Sequence, residues 1–213
     1  MNTRESTPDN NQIRVVGICG SLRNGSYTRK IVKLALEGAA ELGSQVDLVD
    51  LREYELPFCK EGDNGSEFSP DVQTFRSLVT SADGIILGTP EYHGSFSGVL
   101  KNALDLMGFE EFEGKMLGLV SVSRGQMGGL NALNSLRTIG RALHAWVIPE
   151  QVSIPRVATE FDGGSLKDRK LAERVMDVGR QVARFAFLHT SDKANEFVRL
   201  WEEAPQNPGA KDR

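Results

Sequence analysis

The chain has 213 residues, of which 39% are hydrophobic and 25% charged, and this composition favours one globular domain with a sizeable core. Its formal net charge of −4 at pH 7 and its lack of a basic tract argue against nucleic acid as a partner. Cys19 and Cys59 have no metal-ligand spacing and make no disulfide framework, so we predict no metal site and a reduced, cytoplasmic setting.

Both ends of the chain are polar. Residues 1–12 lack the apolar core of a signal peptide and are predicted to form a disordered segment. Residues 191–213 are predicted to form a helical or loose tail, because they end in a polar stretch with Pro and Gly. No apolar run approaches the roughly 20 residues that span a bilayer, so we expect no membrane insertion. The folded domain is therefore expected to cover residues 13–190.

The first part of the chain alternates between strand-like and helix-like patterns. Residues 13–19 form a β-branched run typical of a buried strand, and the apolar spacing over 27–42 predicts a helix. Residues 45–51 predict a second strand. Ser69 followed by Pro70 has the pattern of an N-cap with proline at the first helical position, which predicts a second helix.

The same alternation continues through the middle of the chain. Residues 84–90 predict a short buried strand, and a helix is expected from about 98 to 107. Residues 115–123 predict a fourth strand. The leucine spacing over 129–146 predicts the helix that follows it.

The last elements are a fifth strand and a long helix. The strand is predicted over 145–155, with an interruption at Pro149. Ser165 with Asp168 resembles a capping box that opens the helix. An apolar stripe marks the side of this helix that faces the core, and it consists of Leu171, Val175, Val178, Val182 and Phe185.

Five strands that alternate with helices predict an α/β fold, with a parallel sheet covered on both faces. Doubly wound sheets of this kind bind ligands at the carboxyl ends of their strands. The glycine-rich turn at 20–26 and the loop at 90–97 both lie at such ends. We therefore expect a ligand at this edge of the sheet.

The first of these turns, within GICGSLRNGSYT, can be compared with two nucleotide-binding motifs. The dinucleotide fingerprint G-x-G-x-x-G fails, because the glycines fall at Gly17, Gly20 and Gly25. The P-loop pattern also fails, because Ser26 and Tyr27 stand where lysine and Ser/Thr are required. A nucleoside triphosphate held with magnesium is therefore a poor candidate.

The polar groups that remain in the turn suit a simpler anion. Three hydroxyls (Ser21, Ser26 and Thr28), the Arg23 guanidinium and the backbone amides can together saturate one phosphomonoester without a metal. The alternative is an ordinary Gly/Ser turn with a solvated arginine. Position after the first strand favours the anion site.

Two further stretches supply the rest of a ligand site. In GTPEYHGSFSGVLKNALD, Pro90 and Gly94 favour a loop against which a flat ring can lie, and Tyr92, His93 and Phe96 offer aromatic surface. The later SVSRGQMGG is a third glycine-rich turn between a strand and a helix. Three such turns at one sheet edge indicate a binding site.

Taken together, GICGSLRNGSYT, GTPEYHGSFSGVLKNALD and SVSRGQMGG resemble the NADPH-dependent FMN reductase family, over roughly residues 13–155. Its flavodoxin-like members include quinone, chromate and azo-dye reductases. The resemblance implies a three-layer sandwich with a five-stranded parallel sheet in the order 2-1-3-4-5, and thus a flavodoxin-like FMN-binding domain. It also implies FMN as cofactor and NADPH or NADH as co-substrate.

The resemblance carries a set of cofactor-binding residues over to this chain. The phosphate side consists of Ser21, Arg23, Ser26, Tyr27 and Thr28. The ring side consists of Pro90, Glu91, Tyr92, His93 and Gly94, with Ser123 and Gly125 at the polar edge. No side chain is assigned a catalytic role, because hydride transfer takes place at flavin N5.

The chain departs from the family pattern at three positions. Thr28 and His93 each stand where asparagine is common, and Ser97 stands where proline is common. The first change turns one phosphate contact into a hydroxyl. The second is expected to alter substrate preference or redox tuning, and the third to leave the cofactor unaffected.

The resulting hypothesis is an oxidoreductase that passes hydride from NAD(P)H through FMN to a small acceptor, with ping-pong kinetics. The acceptors considered are a quinone, chromate, an azo compound, a ferric species and free flavin. Two alternatives stay open: a flavodoxin-like electron carrier without substrate turnover, and an interaction module without flavin. The resemblance further implies a homodimer or homotetramer in which neighbouring subunits complete each flavin site.

Overall fold

The fold is seen in a computed structural model, which describes residues 12–60, 68–191, 194–196 and 199–200. Most of the predicted N-terminal segment and much of the predicted tail lie outside the described residues. Within the part of the chain that is described, no helix is both long and apolar enough to cross a membrane.

The strands form one main sheet and one small hairpin. In chain order they are β1 (Arg14–Cys19), β2 (Gln45–Asp50), β3 (Gly84–Tyr92), β4 (Ser95–Phe96), β5 (Met116–Val122), β6 (Trp146–Ile154), β7 (Phe161–Asp162) and β8 (Ser165–Leu166). The five long strands pair in parallel in the order β2-β1-β3-β5-β6. This confirms the predicted arrangement of the parallel strands. The two-residue β4, antiparallel to β3, is an addition that the sequence did not indicate.

In the described residues, helices lie between the strands and after the last of them. They are α1 (Tyr27–Ala40), α2 (Pro70–Thr80), α3 (Gly98–Asp105), α4 (Phe109–Phe112), α5 (Leu130–Ala142), α6 (Val157–Glu160) and α7 (Arg169–Thr190), with one 3-10 turn at Leu51–Glu53. Alternate strand residues face opposite sides. On one side Val15 and Ile86 pack with α1 and α7, and on the other Val16 and Ile85 pack with α2, α3 and α5. The result is the predicted three-layer sandwich.

Two of the local predictions are confirmed. The Ser69 hydroxyl accepts a hydrogen bond from the backbone N–H of Val72 at 3.4 Å, and Pro70 is the first residue of α2. Pro149 lies where the pairing of β6 with β5 shifts its register, between Val147 and Gln151. A proline removes one donor from the ladder, so a bulge at that point is expected.

The predicted cap of the long helix is wrong by three residues. Asp168 is the N-cap of α7, and its carboxylate accepts a hydrogen bond from the backbone N–H of Lys170 at 2.8 Å. Ser165 belongs to β8 instead, where it pairs with Asp162. Both residue types favour N-caps, so the pattern alone did not separate them.

Candidate functional site

The three glycine-rich turns lie around one cavity of about 630 Å³ at the carboxyl ends of β1, β3 and β5. This volume lies within the range of about 300–1,000 Å³ that is usual for small-molecule sites. Ten of the twelve predicted binding residues line the cavity, and they are Ser21, Arg23, Ser26, Tyr27, Thr28, Pro90, Glu91, Tyr92, Ser123 and Gly125. Four further lining residues were not among the predicted binding residues, and they are Gly25, Val122, Arg124 and Val157.

The first turn leads directly into the N-terminus of α1. Ser26 is the N-cap of this helix, and its hydroxyl oxygen accepts a hydrogen bond from the backbone N–H of Arg29 at 3.2 Å. No acidic residue stands in the first turn of α1. The positive end of the helix therefore faces the cavity edge with no carboxylate from its own first turn, which suits an anionic ligand.

A close backbone approach holds this turn against β3. The backbone N–H of Gly20 donates to the carbonyl oxygen of Gly88 at 2.8 Å. A Cβ at position 20 would lie 2.8 Å from the Cβ of Leu100 and 2.9 Å from that carbonyl oxygen. Only glycine allows the backbone of the turn to approach β3 this closely, which explains the glycine at position 20.

Ser97 ties the same turn to α3. Its hydroxyl donates to the carbonyl oxygen of Gly20 at 2.6 Å and accepts from the backbone N–H of Leu100 at 3.2 Å. The residue is 2% exposed, so these bonds lie away from water. The replacement of the usual proline therefore adds a link between two of the three turns. A serine that precedes a helix is the sequence signal for such a cap.

The first two turns also meet through side chains. The Arg23 guanidinium lies over the Tyr92 ring, with its central carbon 5.5 Å from the ring centroid. Tyr92 remains 40% exposed, so part of its surface is free for a ligand. A cation over an aromatic face stabilises both side chains in place.

Glu91 connects the second turn to the third. Its carboxylate accepts a hydrogen bond from the backbone N–H of Ala132 at 3.0 Å, in the first turn of α5. The N-cap of α5 is Gly129, which has no side chain to cap the helix itself. Glu91 supplies the missing cap from another element, and a carboxylate is favoured at this positive helix end.

Serine hydroxyls hold the third turn at both of its ends. Ser121 donates to the carbonyl oxygen of Gly129 at 2.9 Å, and the Ser153 hydroxyl accepts from the N–H of Gly129 at 2.6 Å. The Ser123 hydroxyl accepts from the N–H of Gly125 at 3.0 Å. Ser123 and Gly125 are thus set at the cavity wall by local hydrogen bonds.

His93 and Gly94 do not line the cavity. They form the two-residue turn between β3 and β4, with φ angles of 52° and 78°. Two central residues with positive φ are typical of a type I′ hairpin, for which Asn-Gly is the favoured pair. The asparagine common in the family thus suits this backbone, and His93 lies exposed at the hairpin tip.

We expect His93→Asn to raise the free energy of unfolding by about 0.5–1 kcal/mol, because asparagine tolerates the left-handed conformation better. Urea unfolding of the full chain measures this change. His189→Asn serves as the matched control, since His189 lies in the helix α7, where the two residue types have similar propensities. Equal effects of both substitutions would contradict the hairpin argument.

The two cysteines lie in different environments. Cys19, the last residue of β1, is fully buried, and burial raises the pKa of its thiol. It is therefore protonated at neutral pH and packs as a small apolar group. Cys59 is exposed. Among the described residues, no group of three or more His, Cys, Asp or Glu is arranged to hold a metal ion.

Comparison with known proteins identifies the family. Residues 13–159 match the family model described as NADPH-dependent FMN reductase. The chain belongs to this family. The predicted resemblance is thereby confirmed, and with it FMN as cofactor and NAD(P)H as co-substrate. The hydroxyls and the guanidinium of the first turn fit the phosphate of FMN, since each can donate a hydrogen bond to a phosphate oxygen and none needs a metal.

Individual relatives agree with this family assignment. The NADPH azoreductase of Bacillus sp. (strain OY1-2) is 36% identical over 164 residues, which cover 76% of this chain and 83% of that protein. The NADPH-dependent FMN reductase ArsH of Shigella flexneri is 32% identical over 191 residues, or 85% and 71% of the two chains. The fold also matches FerB, a flavoenzyme NAD(P)H:(acceptor) oxidoreductase from Paracoccus denitrificans. Its TM-score is 0.68 at 22% identity, over 83% of this chain and 98% of that one.

Proposed function

We propose that this family member carries electrons from NAD(P)H through FMN to a small acceptor such as a quinone, chromate, an azo compound, a ferric species or free flavin. The observation that carries the proposal is the single cavity in which a donor-rich turn and an aromatic-bearing strand end face each other. When bound there, FMN supplies the hydride chemistry at its ring. The azoreductase name of a relative supports an azo compound as one acceptor.

The chain's own residues would divide the work of binding. Ser21, Arg23, Ser26 and Thr28 would hold the phosphate, with Tyr27 at the wall beside them. The ring would lie along another part of the wall, which consists of Pro90, Glu91, Tyr92, Ser123 and Gly125. Because the Glu91 carboxylate already caps α5, it has a structural task and is not required as an acid or base.

One cavity that serves two substrates predicts ping-pong kinetics. The donor must leave before the acceptor can reach the same region of the wall, so the two would not be bound together. Double-reciprocal plots of initial rate against NADPH, at several fixed quinone concentrations, are expected to be parallel. Intersecting lines would require both substrates to bind at once and would contradict a shared position.

An anaerobic titration separates the enzyme from an electron carrier of the same fold. NADPH added to the FMN-loaded protein should bleach the flavin absorbance at a ratio near one, at a rate that supports turnover. Bound FMN that does not bleach would favour the carrier instead. A purified protein that neither is yellow nor binds added FMN would favour the flavin-free module.

We further propose a homodimer or homotetramer of a cytoplasmic protein, with the flavodoxin-like domain at residues 13–190. Exposed apolar side chains near the cavity support association: Met127 is 87% exposed and Leu130 49% exposed. Both flank the start of α5, which Glu91 ties to the cavity wall. Light scattering of the eluted protein measures the mass, and a monomer at all concentrations would contradict this proposal.

A further inference from the structure

A buried ion cluster lies beside the first turn, outside the residues that line the cavity. Asp50, the last residue of β2, is 3% exposed and is bound by two arginines. Arg29 donates to its carboxylate from Nε at 2.5 Å and from Nη2 at 3.1 Å, and Arg52 donates from Nη2 at 2.6 Å. Burial opposes ionisation of Asp50, but the hydrogen bonds from Arg52 and Arg29 outweigh it and hold its pKa well below the usual value.

The same two arginines also hold the first turn, Arg29 through the backbone and Arg52 through a side chain. Nη1 of Arg29 donates to the carbonyl oxygens of Arg23 at 3.3 Å and Asn24 at 3.1 Å. Nη1 of Arg52 donates to the side-chain oxygen of Asn24 at 3.2 Å. Each guanidinium is thus a bridge with one end on Asp50 and the other on the turn.

This arrangement needs Asp50 for an electrostatic reason. Arg29 stands in the first turn of α1, where a cation is unfavourable beside the positive end of the helix. Asp50 compensates that charge and orients the planar fork, since a carboxylate and a guanidinium match in a bidentate pair. Without this anchor, nothing in the cluster would direct the remaining donors of Arg29 at residues 23 and 24.

We propose that Asp50 is a positioning residue for the FMN phosphate, which acts through Arg29 and Arg52 on the shape of the first turn. The inference rests on the proposed binding of the phosphate by Ser21, Arg23, Ser26 and Thr28. It adds a residue from β2, an element that contributes no side chain to the cavity wall. Asp50 touches neither the ligand nor the reacting atoms in this scheme.

Charge and geometry make opposite predictions for Asp50→Asn. If the cluster acts on the ligand only through long-range electrostatics, removal of a negative charge near the phosphate should tighten FMN binding. Loss of the anchor should weaken binding if the cluster acts by holding the turn. The sign of the change in FMN affinity therefore separates the two explanations.

The test compares FMN with riboflavin, which lacks the phosphate. Dissociation constants of both flavins are measured on the full chain by flavin fluorescence. The Kd for riboflavin divided by the Kd for FMN, called the riboflavin-to-FMN ratio, reports what the phosphate contributes to binding. We expect Asp50→Asn to lower the riboflavin-to-FMN ratio about tenfold, which corresponds to about 1.4 kcal/mol. An unchanged or increased ratio would overturn the proposal. General damage to the fold would weaken both flavins and leave the ratio unchanged.

The matched control is Asp47→Asn on the same strand. Asp47 pairs with Arg14 at 2.9 Å, so this variant also breaks an Asp–Arg pair, but neither residue lines the cavity. The control should leave the ratio unchanged, and a fall as large as that of Asp50→Asn would overturn the proposal. Arg29→Lys covers the case in which Asp50→Asn does not fold. It keeps the charge and loses the fork, so it should lower the ratio as well, and no change would again overturn the proposal.

Arg23→Ala distinguishes failure of this inference from failure of the proposed site. If Arg23→Ala lowers the ratio and Asp50→Asn does not, the proposed phosphate site is supported and the positioning role of Asp50 is contradicted. If Arg23→Ala leaves the ratio unchanged, the assignment of the phosphate to the first turn falls, and the role of Asp50 falls with it.

Discussion

Replacement of Arg23 by alanine should weaken FMN binding by about 1–3 kcal/mol, or roughly 5- to 150-fold in Kd. This is the usual scale for the loss of a hydrogen bond to a charged group. Arg23 lines the cavity within the donor-rich turn, and its side chain makes no ion pair among the described residues. Its charge is thus not already neutralised by a carboxylate of the chain. Fluorescence titration of the full chain with FMN measures the change.

Arg124→Ala is the matched control for this prediction. Arg124 also lines the cavity, but it belongs to the third turn, on the proposed ring side. Loss of the same charge there should change the Kd for FMN less than about threefold, since the phosphate would lie at the other end of the cavity. Equal losses of FMN affinity in the two variants would indicate that the positive charge of the whole cavity attracts the ligand, and would contradict a local contact between Arg23 and the phosphate.

The sequence predicts well what short stretches of chain decide. Apolar and β-branched runs located all five long strands, and the glycine-rich turns located the cavity edge. The Ser69–Pro70 start of α2 followed from the chemistry of two adjacent residues. Each of these features depends on neighbours in sequence, and so it leaves a local pattern.

Contacts between distant residues left no such pattern. The bond from Ser97 to Gly20 joins positions 77 residues apart, and Glu91 caps a helix that begins 39 residues later. Val157 reaches the cavity only because α6 follows the last parallel strand back to the sheet edge. The sequence near these residues does not indicate their partners, because the partners come together only in the folded chain.

His93 shows how a local rule adds to a resemblance. The family pattern predicts its side chain beside the flavin ring, and the backbone sets it in a hairpin turn with φ of 52°. The following Gly94 was the available signal, since an X-Gly pair between two strands favours a type I′ turn.

Helix α1, which follows the first turn, packs against α7, and glycines allow the two helices to approach closely. A Cβ on Gly179 of α7 would overlap the carbonyl oxygen of Ala35, and a Cβ on Gly38 of α1 would overlap that of Met176. These obstacles are backbone atoms, which cannot rotate away as a side chain can. The two helices must therefore separate if either glycine gains a methyl group.

We expect Gly179→Ala to lower the free energy of unfolding by about 3 kcal/mol, the upper end of the usual range for overpacking. Urea unfolding of the full chain without flavin measures it. Gly98→Ala is the control, because Gly98 is also a helical glycine, the first residue of α3, but has open space around its Cβ position. An unchanged urea midpoint for Gly179→Ala would contradict the tight contact.

Gly179→Ala should also weaken the binding of FMN, because Ser26 and Thr28 lie at the end of α1 that borders the cavity. A helix pushed off α7 moves these hydroxyls and the helix N-terminus together, whereas the ring-side wall on β3 and β5 stays on the sheet. The loss should therefore be larger for FMN than for riboflavin. Equal losses for the two flavins would mean that the displacement does not reach the first turn, and that α7 supports the stability of the fold without positioning the phosphate site.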